Sequence, residues 1–364
     1  MPFEEVEGAS ITLPVSQTAA DRPLILMDPH PRPIKLIFSD EDRDRLNALG
    51  RVLWYEGARA PDEYIDAHLS EAVALIGQSP MPLERLGRAS KLRAIFNVEG
   101  NFLQNIDYQE CHRRNIHVLA CSRAFSPAVA ELALGLALSA ARGIVANDAA
   151  FRRGEEKYSA ASNTDSRLLR GRTMGLLGCG NVARMLLPLI RPLGGKILVH
   201  DPWLHENMLQ DMGLQPVDLH TLVKQSDTLF VLSAATPENG QQLGAKQFDQ
   251  MRPGAIVVLV GRAEVVDVDA LLDAADSGRI RAAIDVFPEE PVPPDDRVRR
   301  TANVILSGHR AGGLPETYHR VGRMVVDDLE MILRGLPPGQ LQPAVLETVC
   351  RQRGKPITAA VMKK

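Results

Sequence analysis

Residues 173–183 read Thr-Met-Gly-Leu-Leu-Gly-Cys-Gly-Asn-Val-Ala. A short apolar run enters a glycine turn, and residues from Val182 to Leu193 continue with helical spacing. The turn is a G-x-G-x-x-G/A pattern set on Gly178, Gly180 and Ala183. The first glycine permits a tight turn, the second lets a pyrophosphate approach the backbone, and the small third residue lets the helix lie close to its strand. The phosphates of a dinucleotide would then face unpaired N–H groups at the helix start. Alone, such a hexapeptide is weak, because glycine turns are common. Here a strand precedes it, a helix follows it, and Asp201 stands 23 residues after Gly178, at the end of the next strand. That carboxylate is placed to take the ribose hydroxyls of NAD and to repel the extra phosphate of NADP. Pro202 and Trp203 either flank the adenine or serve only as packing.

Outward from this turn, strands and helices alternate. Strands are expected at Thr173–Leu177, Lys196–His200, Thr228–Leu232, Ala255–Val260, Ala282–Val286 and Asn303–Leu306, with helices at Val182–Leu193, Leu219–Gln225, Ala245–Gln250 and Asp267–Ser277. An earlier series has strands at Leu24–Met27, Val52–Trp54, Ala72–Ile76, Leu92–Phe96 and His117–Ala120, separated by helices at Asp40–Leu49, Pro61–Leu69, Pro82–Arg88 and near Glu110–Asn115. Such alternation implies parallel strands with crossover helices, so the fold class is α/β with two doubly wound parallel-sheet domains. Between the series runs a helix expected at Ser126–Arg142, with Ser126 and Pro127 as N-cap and first-turn pair. Its apolar residues Val129, Leu132, Ala133, Leu136 and Ala140 recur at three- and four-residue steps, so one face is buried. Residues 143–171 read as polar and irregular, residues 1–20 as a loose tail, and the end of the chain as a helix near Pro315–Arg334 followed by a Pro/Gly-rich tail. That last helix is expected to pack back on the first unit. The division is then 21–120 plus 315–350, and 121–314.

Three polar residues follow three successive strands of the second unit: Arg262, Glu290 in Asp-Val-Phe-Pro-Glu-Glu-Pro, and His309. Ligands of doubly wound sheets lie beyond the carboxyl ends of the strands, so the three are candidates for convergence beside a nicotinamide. The combination suits reduction of a 2-oxo acid. An arginine forks onto a carboxylate or polarises a carbonyl, a histidine exchanges the alcohol proton, and a glutamate orients the imidazole and raises its pKa. Taken singly, each is more often a structural or surface residue than a catalytic one.

The run from Gly178 to Gly312 resembles the D-isomer-specific 2-hydroxyacid dehydrogenase family. The matching pieces are GLLGCGNVAR, the HDP around Asp201, SDTLFVLSAATPEN, MRPGAIVVLVGRAEVVDVDALLDAADSGRIRAAIDVFPEEP and NVILSGHRAGG, with QNID at 104–107 and SPAVAELALGLALSAAR at 126–142 upstream. The resemblance implies a Rossmann NAD-binding domain and a flavodoxin-like substrate domain. It implies that Arg262 contacts substrate, that His309 is the acid/base, and that Glu290 is its partner. It places Asn181 and Val182 on the pyrophosphate and Asp285 near the nicotinamide carboxamide. Gly178, Gly180, Asp201, Ser233, Val260, Gly261, His309 and Gly312 complete the expected cofactor contacts. Glu99 and Gly100 would join Arg262 at the substrate, and the long helix with the stretch after it would build a homodimer. Departures from the family pattern fall on substrate recognition. Its usual Gly-x-Gly carboxylate loop reads Val98-Glu99-Gly100-Asn101-Phe102 here, Gly308 stands where proline is common, and Asn181 replaces a common arginine. With 55 residues after His309, the regulatory domains of long phosphoglycerate dehydrogenases are not expected, and Glu290 argues against formate chemistry, where glutamine pairs with the histidine.

Composition narrows the alternatives. Lys plus Arg is 42 against 45 Asp plus Glu, and aromatics are 4% of the 364 residues. No field holds a polyanion and little is available to stack bases, so nucleic acid is not an expected partner. Cys111, Cys121, Cys179 and Cys350 have no zinc-type spacing, and no metal is expected; free thiols point to a reducing cytoplasm. The acidic N-terminus lacks a signal-peptide core. The most apolar stretch, Leu132 to Ala141, falls short of the ~20 residues that span a bilayer, so no membrane is expected. The expected activity is hydride transfer between NAD(H) and a small 2-hydroxy or 2-oxo acid. A NAD(H)-sensing, corepressor-like binding protein on the same fold is the alternative.

Overall fold

The computed structural model describes residues 22–55 and 59–351; residues 1–20, read as a tail, lie outside it. Strands β1 (Leu24–Asp28), β2 (Arg51–Trp54), β3 (Ala72–Gly77), β4 (Ala94–Asn97) and β5 (His117–Ala120) form one sheet. Strands β6 (Met174–Leu177), β7 (Ile197–His200), β8 (Gln215–Pro216), β9 (Thr228–Val231), β10 (Ala255–Leu259), β11 (Ile280–Ile284) and β12 (Val304–Leu306) form the other. A last strand, β13 (Gln342–Pro343), returns to the first sheet. The orders are β13-β5-β4-β3-β1-β2 and β12-β11-β10-β9-β6-β7-β8. Among the described residues every strand pairing is parallel except β13 with β5. The first order is flavodoxin-like and the second is that of a Rossmann sheet, so the expected α/β class holds.

The sequence dictates this directly. Leu24–Asp28 and Ala255–Leu259 are buried throughout, as strands covered by helices on both faces must be. Side-chain caps fix the helix starts. Ser39 accepts from the Asp42 N–H at the head of Asp40–Leu49, Asp218 from the Thr221 N–H, and Asp267 from the Ala270 N–H. Each satisfies an otherwise orphaned first-turn donor.

The structure corrects several expected boundaries. The long helix runs Ser122–Arg142, a turn earlier than expected. Ser126 is not its cap: its hydroxyl donates back to the Ser122 carbonyl at 2.7 Å, and Pro127 lies inside the helix. The stretch expected to be irregular contains a helix, Ile144–Arg152. Strand β11 starts at Ile280, two residues before the expected start. Arg281 reads as a break in the apolar run, but its guanidinium leaves the sheet to bond the Ala140 carbonyl and Asp165. Helix Glu206–Asp211 and strand β8 were not expected, and neither was β13 inside the Pro/Gly-rich tail.

At 21 residues, Ser122–Arg142 is long and apolar enough to cross a membrane. Here its small residues Ala130, Ala133, Ala137 and Ala141 pack in one core with Ala183, Leu186 and Leu187 of helix Asn181–Ile190. It is a core helix of the second sheet.

The C-terminal helix Pro315–Leu333 packs on the first sheet. Val321, Met324, Val325, Leu329 and Ile332 share a core with Ile25, Met27, Ile37, Phe38, Phe96 and Leu119. Gly322 makes the approach possible, because a Cβ there would stand 2.2 Å from the Ile37 carbonyl oxygen. Asp328, buried, then accepts from the N–H groups of Gly339, Gln340 and Leu341 at 2.8, 2.9 and 2.8 Å, which steers the chain into β13. Replacing Gly322 with Ala should therefore destabilise the protein by about 2–3 kcal/mol, since backbone cannot yield as a side chain does. A thermal melt checks this; an unchanged Tm would show that the helix shifts freely.

Candidate active site

The glycine turn leaves β6 with Gly178 at φ +93°, where a Cβ would stand 2.8 Å from the Ser233 Cα. Only glycine fits there. The Cys179 N–H donates to Asp201 Oδ2 at 2.7 Å and the Trp203 N–H to Oδ1 at 2.9 Å, so Asp201 is fixed beside the turn. Gly180 precedes helix Asn181–Ile190, and a Cβ built on it meets nothing within 4 Å among the described residues. Ala183 is fully buried under the helix. The Ser233 hydroxyl is buried with no hydrogen-bond partner among the described residues. Open space before a helix N-terminus, a closely approachable backbone and an unmatched hydroxyl fit a dinucleotide pyrophosphate.

Asn181 behaves differently from a phosphate-binding arginine. Its side-chain amide donates to Ser122 Oγ at 2.7 Å and to Gln342 Oε1 at 3.2 Å. The side chain therefore ties the nucleotide helix to the long helix and to β13. Val182 follows it in the first helical turn. Val260 is buried, and a Cβ on Gly261 would stand 2.9 Å from the Val231 carbonyl oxygen, so the segment after β10 hugs β9.

The three polar residues come together at the carboxyl ends of β10, β11 and β12. Glu290 accepts the Phe287 N–H on Oε1 at 2.9 Å and faces His309 Nδ1 with Oε2 at 2.6 Å. His309 leaves Nε2 for a ligand, with 53% of its side chain exposed. The hydrogen bond to Glu290 raises the His309 pKa above its ordinary value; burial and the Arg262 charge oppose this, and the charges of Glu290 and Asp285 add to it. Arg262 lies close enough for Glu290 and Glu99 to act on it. Burial lowers its pKa, and the charges of Glu264, Glu290 and Glu99 hold it up. Its Nη1 donates to the Gly261 carbonyl at 2.7 Å.

Asp285 is 1% exposed. Its carboxylate accepts from the Ser307 hydroxyl and from the N–H groups of Arg310 and Ala311 at 3.1 and 3.2 Å. Its main-chain oxygen accepts the His309 N–H at 2.7 Å. The side chain expected at the carboxamide is thus engaged in holding the His309 loop. Gly312, three residues on, packs against the Phe125 ring, with its Cβ position 3.0 Å away.

On the first sheet, Glu99 and Gly100 follow β4. Gly100 also faces the Phe125 ring, at 3.6 Å from its Cβ position. Glu99 turns to Arg32, with Oε2 2.8 Å from Nη2. Neither Gly100 nor Phe102 takes a left-handed φ. Phe102 is buried edge-on to Tyr108, so its departure from glycine carries no backbone strain. Arg32 was not singled out from sequence. Its only signal is a cation in the His-Pro-Arg-Pro run just past β1.

A dinucleotide turn in one sheet, with an Arg–Glu–His cluster at its strand ends facing a second α/β sheet, defines a two-domain nicotinamide-linked oxidoreductase. Comparison with known proteins narrows this. Residues 134–311 match the D-isomer specific 2-hydroxyacid dehydrogenase, NAD binding domain. A glyoxylate reductase of Korarchaeum cryptofilum is 30% identical over 302 residues, covering 81% of this chain and 90% of that protein. A D-3-phosphoglycerate dehydrogenase of Methanocaldococcus jannaschii is 31% identical, covering 73% of this chain but 51% of that longer protein. The crystal structure of a phosphoglycerate oxidoreductase from Rhizobium etli superposes with a TM-score of 0.82 at 41% identity, covering 90% of this chain and 100% of that one. The chain belongs to the D-isomer-specific 2-hydroxyacid dehydrogenase family, and it is an NAD-dependent enzyme of that family.

The open space at Gly180 gives a direct check. Gly180 has φ −78° and ψ −158°, at the edge of the extended region and outside the left-handed space that requires glycine. Gly180→Val should leave the melting temperature of the ligand-free protein within about 2 °C and weaken NADH binding roughly 100-fold or more by occupying the pyrophosphate approach. NADH titration by fluorescence reads this. Unchanged affinity would place the pyrophosphate elsewhere.

Proposed function

We propose that the enzyme reduces a small 2-oxo acid to the corresponding 2-hydroxy acid with NADH, and runs the reverse reaction, with His309 as the proton donor and acceptor. The observation that carries this reading is the 2.6 Å contact between His309 Nδ1 and Glu290 beside Arg262. The bound nicotinamide supplies or takes the hydride at C2. Arg262 holds the substrate carboxylate or polarises its carbonyl through a planar fork that a lysine does not reproduce. Gly100 offers backbone to the carboxylate. His309 Nε2 delivers a proton to the forming alkoxide, and Glu290 fixes the ring through Nδ1 and stabilises the imidazolium. Asp285 acts through the loop, holding His309 in place.

Asp201 supports NAD over NADP, because a 2′-phosphate beside its carboxylate is repelled. Segments 21–120 and 315–350 are assigned to substrate, and 121–314 to cofactor. Exposed Leu138, Ile144, Val145, Phe151 and Leu168 lie on the long helix and the segments after it, which supports a homodimer through this face. Buried free thiols at Cys111, Cys121 and Cys179 support a reducing, cytoplasmic setting.

NADH oxidation followed against a panel of 2-oxo acids tests the whole reading. Turnover in the usual range of roughly 1–1000 per second supports it. NADH binding without turnover of any 2-oxo acid would replace it by a sensing role. With an active substrate in hand, NADH should exceed NADPH in kcat/KM by at least about tenfold, and equal efficiencies would remove Asp201 from the ribose.

The proton step has a sign that pH reads. Reduction needs the imidazolium, and Glu290 raises the His309 pKa, so reductive kcat/KM should hold at low pH and fall as pH rises through that raised value. Oxidation needs the neutral ring and should show the opposite slope. Glu290→Gln keeps a hydrogen-bonding side chain without the charge, so both limbs should move to lower pH. Profiles in both directions decide, and limbs that stay put would dissolve the His309–Glu290 assignment.

A further inference from the structure

The inner strands of the first sheet end in polar groups that the described protein leaves unmatched. Asp28 of β1 pairs in register with Gly77 of β3, and Ile76 of β3 with Phe96 of β4. The chain segments leaving these strands therefore start side by side, at roughly the 4.8 Å strand spacing. His30 and Arg32 lie beyond β1, Gln78 beyond β3 and Glu99 beyond β4. His30 Nδ1, Arg32 Nη1 and both amide atoms of Gln78 are buried without a hydrogen-bond partner, as is Asn105 Oδ1. Gln78 itself is 8% exposed, and Asn105 is bound to it through the Gln78 carbonyl at 2.8 Å. Buried polar groups are ordinarily matched by protein, water or ligand. These groups belong to segments that follow the carboxyl ends of β1, β3 and β4, and of these segments the one after β4 brings Glu99 within reach of Arg262.

Arg32 is held firmly. Its Nη2 contacts Glu99, and its guanidinium stands 5.0 Å from the centre of the Tyr318 ring and 5.5 Å from that of Phe125. Phe125 is the ring that touches both Gly100 and Gly312. Three sides of the guanidinium are thus fixed to the walls of the site, and Nη1 remains. Glu99 also acts on Arg262, which places the Arg32–Glu99 pair next to the reaction centre.

We infer that Arg32 is a specificity-determining residue that, with His30 and Gln78, reads the arm of the substrate beyond C2, and that this arm carries hydroxyl groups. The inference rests on the proposed 2-oxo acid reduction and names its substrate class. Charge and hydrogen-bond balance decide between arms. Glu99 neutralises Arg32, so the pair presents donors without a surplus positive charge for a second anion. The unmatched set holds donors at Arg32 Nη1 and Gln78 Nε2 and acceptors at Gln78 Oε1 and Asn105 Oδ1. A hydroxyl both donates and accepts. A carboxylate or phosphate only accepts, and a methyl does neither.

The test is steady-state reduction by NADH of glyoxylate, which has no arm, pyruvate, hydroxypyruvate, and the anionic-arm acids 2-oxoglutarate and 3-phosphohydroxypyruvate. Hydroxypyruvate should exceed pyruvate in kcat/KM by about 100-fold or more, as sites built to bond a hydroxyl reject analogues that lack it. It should also exceed both anionic-arm acids. In the charge-conserving double variant Arg32→Met, Glu99→Gln, the hydroxypyruvate-to-pyruvate ratio should collapse to within about threefold of one, chiefly through KM. The ratio is taken within one preparation, so a partly folded fraction cancels. An unchanged ratio in the variant, equal use of pyruvate and hydroxypyruvate by the native enzyme, or preference for an anionic arm would each overturn the inference while leaving 2-oxo acid reduction standing. Turnover of none of the five by an enzyme that binds NADH would instead bring down the proposed function, and the inference with it.

Discussion

The buried carboxylate of Asp285 organises the reacting end of the molecule. It leaves β11 into a fully enclosed position, where a polar group is tolerated only when hydrogen-bonded. The loop after β12 supplies the donors: the Ser307 hydroxyl and the N–H groups of Arg310 and Ala311. His309 sits between them at φ +48°, a left-handed backbone that a non-glycine residue keeps only when its surroundings over-determine it. Glu290 then meets the ring from the segment after β11, anchored by the Phe287 N–H. The position of the imidazole follows from a carboxylate that it never touches with its ring.

The two halves meet through small, specific contacts. Asn181 spends its amide on Ser122 and Gln342, so under the proposed reading the phosphates fall to backbone N–H groups and the helix dipole. Phe125 packs against the glycines of both facing loops. Glu99 brings an acid directly before the loop that in the family binds the substrate carboxylate, and Arg32 takes up its charge. The departure that looked adverse to an anionic substrate is compensated inside the same cleft.

Much of this was legible in the sequence. Helices Asp40–Leu49, Leu219–Gln225 and Ala245–Gln250 fall where the strand–helix alternation puts them. The glycine turn, Asp201 and the Arg262, Glu290, His309 series could be read because each is tied to a strand end. Ser126 misled because a serine before proline looks like a cap, whereas its hydroxyl bonds back to the preceding turn. Strand β13 has two residues and no pattern of its own; it exists because Asp328 gathers the chain leading into it. Arg32 acquires its place only through Glu99, Phe125 and Tyr318, three residues distant in sequence, and no local spacing announces such a contact.

The helix Ser122–Arg142 belongs to both halves. Its first turn carries Ser122, which holds Asn181, and Phe125, which lies between the two glycine loops. Its later turns are embedded in the nucleotide core. Twenty-one residues make a rod roughly 30 Å long. A tilt of about five degrees about its embedded end would carry the Phe125 ring by roughly 2–3 Å over such a lever. The gap between the sheets is therefore gauged by the inclination of one rod, with an aromatic ring as its shim.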